Sequence, residues 1–141
     1  MSHREFTLKY GKGSVSFKIP ASQLVHELLG CNQPAVPDLQ AAYTQALRHP
    51  IDSAPLQEMV RPGESVAVTV SDITRGWQRN ADTLPFLLDY LNQAGVPDNK
   101  VTLIIAVGAH RKNTPEEFIE LCGPQVCHRV RVVNHDAWDP A

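Results

Sequence analysis

The sequence has few cysteines, no long apolar run and no surplus of charge, and each of these features excludes a class of protein. Its 141 residues include three cysteines, Cys31, Cys122 and Cys127, an odd number without the spacing of a secreted disulfide scaffold. No run of about 18 or more apolar residues could form a membrane span. The first residues, MSHREFTLKYGKG, lack the apolar segment of a signal peptide. We therefore expect free thiols and a cytoplasmic protein outside the membrane.

The charges are close to balanced. The chain has 13 Lys and Arg residues against 15 Asp and Glu residues, whereas proteins that bind nucleic acid or anionic membranes usually carry a positive surplus. We expect neither of these partners. The charge balance is compatible with a small neutral or anionic ligand. The length fits one domain of common size, expected to fold as one unit.

The signatures of common nucleotide-binding and hydrolase sites are also missing. The sequence contains no G-x-x-x-x-G-K-[ST] and no G-x-G-x-x-G after a strand, and neither G-x-S-x-G nor H-E-x-x-H. Cys122, Cys127 and His128 are potential soft metal ligands, but they lack a second close pair. They also fall at the end of a predicted helix and the start of a predicted strand. We therefore predict no metal site in this chain.

The N-terminal third predicts a hairpin and then a helix. Apolar and polar residues alternate on both sides of Gly11-Lys12-Gly13, which predicts strands near Phe6–Tyr10 and Val15–Ile19. A helix should follow and stop before Pro50. A shorter helix is predicted at Pro55–Val60, followed by a turn at RPGE. The apolar face of the longer helix comprises Leu39, Ala42, Tyr43, Ala46 and Leu47.

The rest of the chain predicts alternating strands and helices. SVAVTVS and KVTLIIAVG are continuous runs that favour β-strands, and TLPFLLDYLNQAG between them has helical periodicity that ends at Gly95. Thr114 should cap a further helix with Pro115 in its first position, EEFIELCG should form that helix, and RVRVVNH should form the last strand. We predict an α/β fold: the hairpin, then a Rossmann-like βαβαβ parallel sheet with flanking helices, buried on both faces and connected by right-handed crossovers.

Polar residues follow each strand of the predicted sheet. The segments are SDITRG, GAHRKNT and NHDAWD, and ligands of such sheets bind beyond the carboxyl ends of the strands. We therefore predict that Ser71–Gly76 and Gly108–Thr114 lie side by side at one end of the sheet and form a shared site.

Asp72 and Arg75 have two open interpretations. They can form a loop ion pair that holds the turn, which in an exposed position contributes about 0 to 1 kcal/mol. Alternatively, Arg75 binds a carboxylate through two hydrogen bonds while Asp72 accepts a hydrogen bond from a hydroxyl or an imidazole. Spacing alone does not separate these interpretations.

His110 is the strongest acid/base candidate. It follows Gly108 and Ala109, small residues that leave room for a ligand, and imidazole exchanges protons near neutral pH. An ordinary solvated loop histidine is an equally common explanation of such a residue. His135 beside Asp136 is a weaker candidate of the same kind.

Four segments together resemble a known family. SDITRG, PFLLDYLNQAGV and VTLIIAVGAHRKNTPEEF, in this order and spacing, resemble the amino-terminal part of the nickel-pincer lactate racemase family. The upstream segment LRHPIDSAPLQEMVRPGESVAV fits as well, so the resemblance covers nearly the whole chain. Each motif is unspecific alone, and their order makes the resemblance specific.

The resemblance implies a chemistry. In that family, two α/β domains enclose a nickel held by a pyridinium-derived mononucleotide that is tethered to a lysine. The cofactor takes a hydride from the hydroxyl-bearing carbon of a small 2-hydroxy acid and returns it to either face of the keto acid. Two histidines take and return the hydroxyl proton.

The resemblance also implies roles for residues of this chain. His110 would be the first acid/base histidine, and Arg75 would help to hold the substrate carboxylate. Asp72, with Ser71 and Thr74, would line the cofactor pocket or orient His110.

Two departures from the family affect the expected substrate. Proline usually follows TR, where this chain has Gly76 and Trp77, and proline usually follows HR, where it has Lys112. Such changes alter loop stiffness and pocket shape, and family members are not confined to lactate. We therefore assign a 2-hydroxy acid without specifying lactate.

The resemblance further implies an incomplete enzyme. The cofactor-bearing lysine, the nickel-ligating histidine and the second acid/base histidine of the family come later than the segment NHDAWDPA. We expect residues 1–141 to be the amino-terminal part of an N-terminal domain, inactive alone, without bound nickel-pincer nucleotide and lacking the C-terminal portion of the enzyme as its partner.

A second interpretation is an inactive α/β domain that binds small molecules or other proteins. A downstream lysine and two histidines would favour the enzyme, and a stop codon after Ala141 would favour the binding domain. The edge of a truncated sheet can also pair with another copy of the chain, so a homo-oligomer stays open.

Overall fold

A computed structural model describes residues 2–139. The chain forms two compact units, one ending at Ala35 and the other beginning at Val36, whereas length alone predicts a single unit. Residues 24–38 contain no helix or strand. This stretch therefore separates the secondary structure of the first unit from that of the second.

The first unit contains the predicted hairpin. Strands β1 (His3–Tyr10) and β2 (Gly13–Pro20) are antiparallel and pair Phe6 with Phe17, whose ring centroids are 5.8 Å apart. Gly11 has a φ of +57° at the turn, a conformation that glycine adopts without steric cost. The predicted hairpin is therefore confirmed, with longer strands than expected.

The second unit contains a three-stranded parallel sheet. Its strands are β3 (Val66–Ser71), β4 (Val101–Ala106) and β5 (Arg131–Asn134), and β4 lies in the middle. Ser71 lies opposite Ala106, and Ile105 lies opposite Asn134. The carboxyl ends of all three strands therefore lie at the same edge of the sheet, which confirms the predicted α/β fold class.

Helices connect and flank these strands. None of the helices in residues 2–139 is long and apolar enough to cross a membrane. Asp38 caps the first helix by accepting a hydrogen bond from the Ala41 amide at 2.8 Å. The helices are α1 (Leu39–Arg48), α2 (Leu56–Met59), α3 (Asn80–Gln93), α4 (Pro115–Cys122) and α5 (Pro124–Arg129).

The C-terminal helices differ in part from the prediction. Thr114 caps α4 with Pro115 in the first turn, as predicted. Helix α5 was not predicted, and it begins at Pro124 directly after Gly123, because proline is favoured in a first helical turn. Cys127 and His128 consequently lie on a helix, and the assignment of this segment to the start of a strand was wrong.

The core occupies one face of the sheet. Leu103 and Ile105 of β4 are fully buried against apolar residues of α3, α4 and α5. On the opposite face, Ala67 and Thr69 of β3 are exposed. The expectation of strands buried on both faces was therefore wrong for β3, because the three helices that contribute to the core pack on the same side.

Candidate functional site

Two of the predicted loops meet at the carboxyl end of the sheet. Asp72 directly follows β3 and caps a 3₁₀ turn at Ile73–Gln78, and His110 lies in the loop that follows β4. The Asp72 Oδ2 and His110 Nδ1 atoms are 2.5 Å apart. The predicted juxtaposition of Ser71–Gly76 and Gly108–Thr114 is therefore confirmed.

Asp72 is a buried carboxylate whose hydrogen bonds favour its charged form. Its Oδ1 atom accepts hydrogen bonds from the hydroxyl (2.5 Å) and the backbone amide (3.2 Å) of Thr74. The Thr74 hydroxyl, followed by His110, lowers the pKa of Asp72 below its usual range, although burial acts in the opposite direction. Asp72 is therefore ionised at neutral pH and acts only as a hydrogen-bond acceptor.

His110 is oriented by this carboxylate. Because ionised Asp72 can only accept, His110 Nδ1–H donates to it, which leaves the Nε2 lone pair of the neutral ring unprotonated. The side chain of His110 is 57% exposed and that of Asp72 is 5% exposed. The pair thus has the arrangement of a general base that is held by a buried carboxylate.

Arg75 contributes an uncompensated positive charge to the same site. Within residues 2–139, no carboxylate forms an ion pair with its guanidinium, and Asp72 bonds to Thr74 and His110 instead. The interpretation of Asp72 and Arg75 as a loop ion pair was therefore wrong. A free guanidinium can bind a carboxylate through two parallel hydrogen bonds.

A cavity of about 290 Å³ brings these groups together. Its size suits a small molecule rather than a polymer. Its wall combines an acid/base pair, a cation and two hydroxyl groups. These groups can bind a small molecule that carries a negative charge and a hydroxyl group. The lining side chains that carry chemistry are Ser71, Asp72, Thr74, Arg75 and His110.

A second cavity of about 310 Å³ also borders the His110 loop. His135, Asp136 and Trp138 line it, and Asp136 forms a 2.7 Å ion pair with Lys112. The third polar loop therefore lies beside the site, as expected from its position after β5. His135 has no hydrogen bond to Asp72, so it does not share the arrangement of His110.

Sequence reasoning missed the contacts that hold the His110 loop. Both terminal nitrogens of Arg111 donate hydrogen bonds to the Glu117 carboxylate, at 2.8 and 2.6 Å. The side chain of Asn134 bonds to the backbone of Asn113. The sequence from Thr114 to Glu117 has the pattern of a capping box, which could have predicted that Glu117 bonds to the helix start. The pairing of Asn113 with Asn134 had no local signal.

Among the described residues, the cavity has hydroxyl groups but no cluster of metal ligands. The hydroxyls belong to Ser71 and Thr74. Within residues 2–139, however, no group of three or more His, Cys, Asp or Glu side chains could hold a metal ion. Burial raises the pKa of the Cys122 thiol to about 12, which disfavours the thiolate that binds metals.

Comparisons with known proteins show which family the chain resembles. The lactate racemase N-terminal domain family matches residues 10–141. A lactate racemase from Lactiplantibacillus plantarum is 30% identical over 100 residues, which cover 71% of this chain and 23% of that protein. A lactate racemase from Thermoanaerobacterium thermosaccharolyticum is 26% identical over 133 residues, which cover 92% of this chain and 30% of that protein.

A solved structure gives the same result at the level of the fold. The lactate racemase apoprotein from Thermoanaerobacterium thermosaccharolyticum superimposes with a TM-score of 0.73 at 25% sequence identity, over 96% of this chain and 31% of that one. The chain therefore spans less than a third of the length of each of these relatives.

Proposed function

Because the chain belongs to the lactate racemase N-terminal domain family, we propose that it forms the amino-terminal part of a racemase or epimerase of 2-hydroxy acids. The observation that carries this proposal is the contact between Asp72 and His110, with Arg75 in the wall of the same cavity. An acid/base pair beside a free guanidinium suits a substrate that has one hydroxyl group and one carboxylate.

His110 would move the hydroxyl proton of the substrate. Its Nε2 atom would accept that proton while the C–H bond of the hydroxyl-bearing carbon breaks and its hydride leaves to the group that the bound cofactor would supply, and the ring becomes a cation. The buried Asp72 carboxylate, 2.5 Å from Nδ1, stabilises this cation and keeps the ring in one tautomer. Return of the proton from Nε2 to the substrate oxygen restores the neutral ring.

Arg75 would fix the other end of the substrate. Two parallel N–H···O bonds to the carboxylate set the direction of the hydroxyl-bearing carbon relative to His110. Asp72 does not neutralise Arg75, because its oxygens are occupied by Thr74 and His110.

The cofactor of the full-length enzyme would be the nickel-pincer nucleotide. When bound, it supplies the group that accepts and returns the hydride of the hydroxyl-bearing carbon. Ser71 and Thr74 would line its pocket together with Asp72. The nickel ligands, the cofactor-bearing lysine and the second acid/base histidine would come from the C-terminal portion, so residues 1–141 alone would be inactive.

The test is a racemisation assay with the cofactor-loaded full-length enzyme. His110→Ala should reduce turnover by about 10²–10⁴-fold, the usual contribution of a positioned acid or base. The fold should be nearly unaffected, because an exposed loop histidine contributes little packing. Thermal melts of each variant would verify this.

The matched control is His128→Ala, which removes an exposed histidine from α5, outside the cavity. This variant should keep wild-type turnover. Wild-type turnover in His110→Ala would refute the acid/base role. No racemisation of any 2-hydroxy acid by the loaded full-length protein would favour an inactive binding domain instead.

A further inference from the structure

The side chain of Asn134 makes a reciprocal pair of hydrogen bonds with the backbone of Asn113. Asn134 Nδ2 donates to the Asn113 carbonyl at 2.9 Å, and the Asn113 amide donates to Asn134 Oδ1 at 2.9 Å. Both ends of the amide group are therefore used, as in one step of a β-ladder. Asparagine provides the required donor and acceptor on a short side chain.

The sheet itself fixes the position of Asn134. It is the last residue of β5 and lies opposite Ile105 of β4. The next amide, of His135, donates to the Ile105 carbonyl at 2.9 Å. A change in the position of this side chain would therefore require disruption of the strand end.

The His110 loop is held at both of its ends. At the near end, the amide of Val107 donates to the Ile105 carbonyl at 3.0 Å, and the amide of His110 donates to the Val107 carbonyl at 2.9 Å. At the far end, Asn134 holds Asn113, which is only 6% exposed. His110 therefore lies within a short segment whose two ends are both bonded to the sheet.

Two ion pairs also contact this loop, but they are more exposed. The side chains of Lys112 and Asp136 are 61% and 36% exposed, and that of Arg111 is 66% exposed in its pair with Glu117. The exposed Lys112–Asp136 pair contributes little because water screens it, and the Arg111–Glu117 pair, whose carboxylate is 18% exposed, holds Arg111 to the start of α4 and not to the sheet. The neutral pair at buried Asn113 is less accessible to competing water, so it is the better protected link between the loop and the sheet.

We propose that Asn134 is a positioning residue for His110. By fixing the Asn113 backbone, it holds the loop where the His110 ring reaches Asp72, and it thereby maintains the tautomer with Nε2 unprotonated. This inference deepens the proposed function and rests on the acid/base role of His110 for its catalytic meaning. The contact between Asn134 and the loop can be tested separately from turnover.

The test uses the ¹⁵N-labelled 141-residue chain and Asn134→Asp. This change keeps the size of the side chain but replaces the donor by an oxygen that faces the Asn113 carbonyl. Repulsion between this oxygen and the Asn113 carbonyl should push the loop away, so that the remaining bond from the Asn113 amide to Oδ1 opens more often. We expect exchange of the Asn113 amide hydrogen to accelerate by about tenfold or more. The ¹⁵N spectrum of the His110 ring should change from the Nδ1–H form to the mixed forms of an unrestrained histidine.

Two further variants calibrate these readings. Asp72→Asn removes the charged acceptor and shows the ring spectrum of an unrestrained His110. Asn92→Asp removes another bond from a side-chain amide to a backbone carbonyl, that of Val96 at 3.0 Å, outside the site. It should lower the melting temperature without changing the His110 ring spectrum.

An unchanged His110 spectrum in folded Asn134→Asp, whether or not Asn113 exchanges faster, would overturn the proposal. If Asn134→Asp does not fold, Asn134→Ala provides the same two readings without a new charge. Absence of the Nδ1–H form in the wild-type chain would also overturn it. Failure of the proposed function would instead appear as wild-type turnover of His110→Ala, a separate measurement.

Discussion

At the residue scale, the Asp72 carboxylate determines what its neighbours can do. It is buried, and its two oxygens accept hydrogen bonds from Thr74 and His110. His110 is thereby restricted to one orientation and one tautomer. Arg75 keeps its positive charge available, because Asp72 is engaged elsewhere. The bonds of Asp72 therefore explain both the tautomer of His110 and the available charge of Arg75.

The role of Arg75 can be tested by replacing it with lysine. If Arg75 holds the substrate carboxylate through two hydrogen bonds, Arg75→Lys keeps the charge but loses the planar fork. We expect KM for the 2-hydroxy acid to rise by about tenfold or more, with a smaller change in kcat, if binding is lost equally in the ground and transition states. Steady-state racemisation by the loaded full-length enzyme gives both constants.

Arg48→Lys is the control for this substitution. Arg48 is an exposed residue of α1 and does not line the cavity, so its replacement should leave both constants unchanged. An unchanged KM in Arg75→Lys would mean that another residue binds the carboxylate of the substrate.

The residue types of the site could be predicted from sequence more readily than their partners. The approach of the segments around Asp72 and His110 follows from two parallel strands whose carboxyl ends coincide. Spacing left open whether the Asp72 carboxylate would bind Arg75 or accept from a hydroxyl or an imidazole, because His110 is 38 positions away along the chain. The bonds between Asn113 and Asn134 span 21 positions and have no periodicity that a sequence could show.

At the element scale, the start of α4 anchors the loop that carries His110. Glu117 accepts a hydrogen bond from the Thr114 amide at 2.8 Å, and the Thr114 hydroxyl accepts one from the Glu117 amide at 3.3 Å. This capping box is a common start of a helix. Glu117 also binds the guanidinium of Arg111, the neighbour of His110. The helix start and the site loop therefore share one carboxylate.

We predict that Glu117 makes the free energy of unfolding depend on pH in acid. Hydrogen bonds from Arg111, and then from the Thr114 amide, lower the pKa of Glu117 from 4.5 to about 2, although burial and the charge of Asp72 oppose this. A carboxyl with a lowered pKa stabilises the fold fully above its unfolded pKa and loses this contribution as pH falls. The contribution of Glu117 should therefore be complete above pH 4.5 and lost toward pH 2.

Melting temperatures between pH 7 and pH 2 test this prediction. Glu117→Gln keeps a side chain that can complete a capping box but does not ionise. The wild-type melting temperature should fall more steeply than that of the variant, so that the two curves converge in acid. Glu120→Gln, an exposed change on the same helix, should follow the wild-type curve. Parallel curves for wild type and Glu117→Gln would refute the prediction.

The elements with strong local signals were predictable, and those that depend on packing were not. The hairpin follows from alternation around Gly11 and Gly13, and the start of α4 follows from Thr114 and Pro115. Helix α5 has only six residues, too few to show a clear period. The apolar run of β3 predicted burial on both faces, because the sequence does not show on which side of the sheet its helices pack.

At the scale of the whole molecule, the chain contains one side of a proposed active site. The proposed acid/base pair and the guanidinium lie at the carboxyl edge of the sheet and line one cavity. The chain spans 31% of the length of the solved relative. Its binding properties in isolation should therefore reflect the polar site and not the complete cofactor pocket that we propose for the full-length enzyme.

The last prediction follows from this division: the purified 141-residue chain should not bind nickel tightly. Imidazole and thiolate are suitable nickel ligands, but the candidates in this chain are poorly prepared. His110 Nδ1 is bonded to Asp72. Burial raises the pKa of the thiols of Cys122 and Cys127, so that formation of thiolate ligands is unfavourable. Metal analysis after incubation with nickel and dialysis should show far less than one equivalent.

The control is a variant with Cys122→Ala and Cys127→Ala, which should give the same low value. Near-stoichiometric nickel in the wild-type chain that is lost in this variant would instead reveal a thiolate site and contradict the assignment of the nickel ligands to the C-terminal portion.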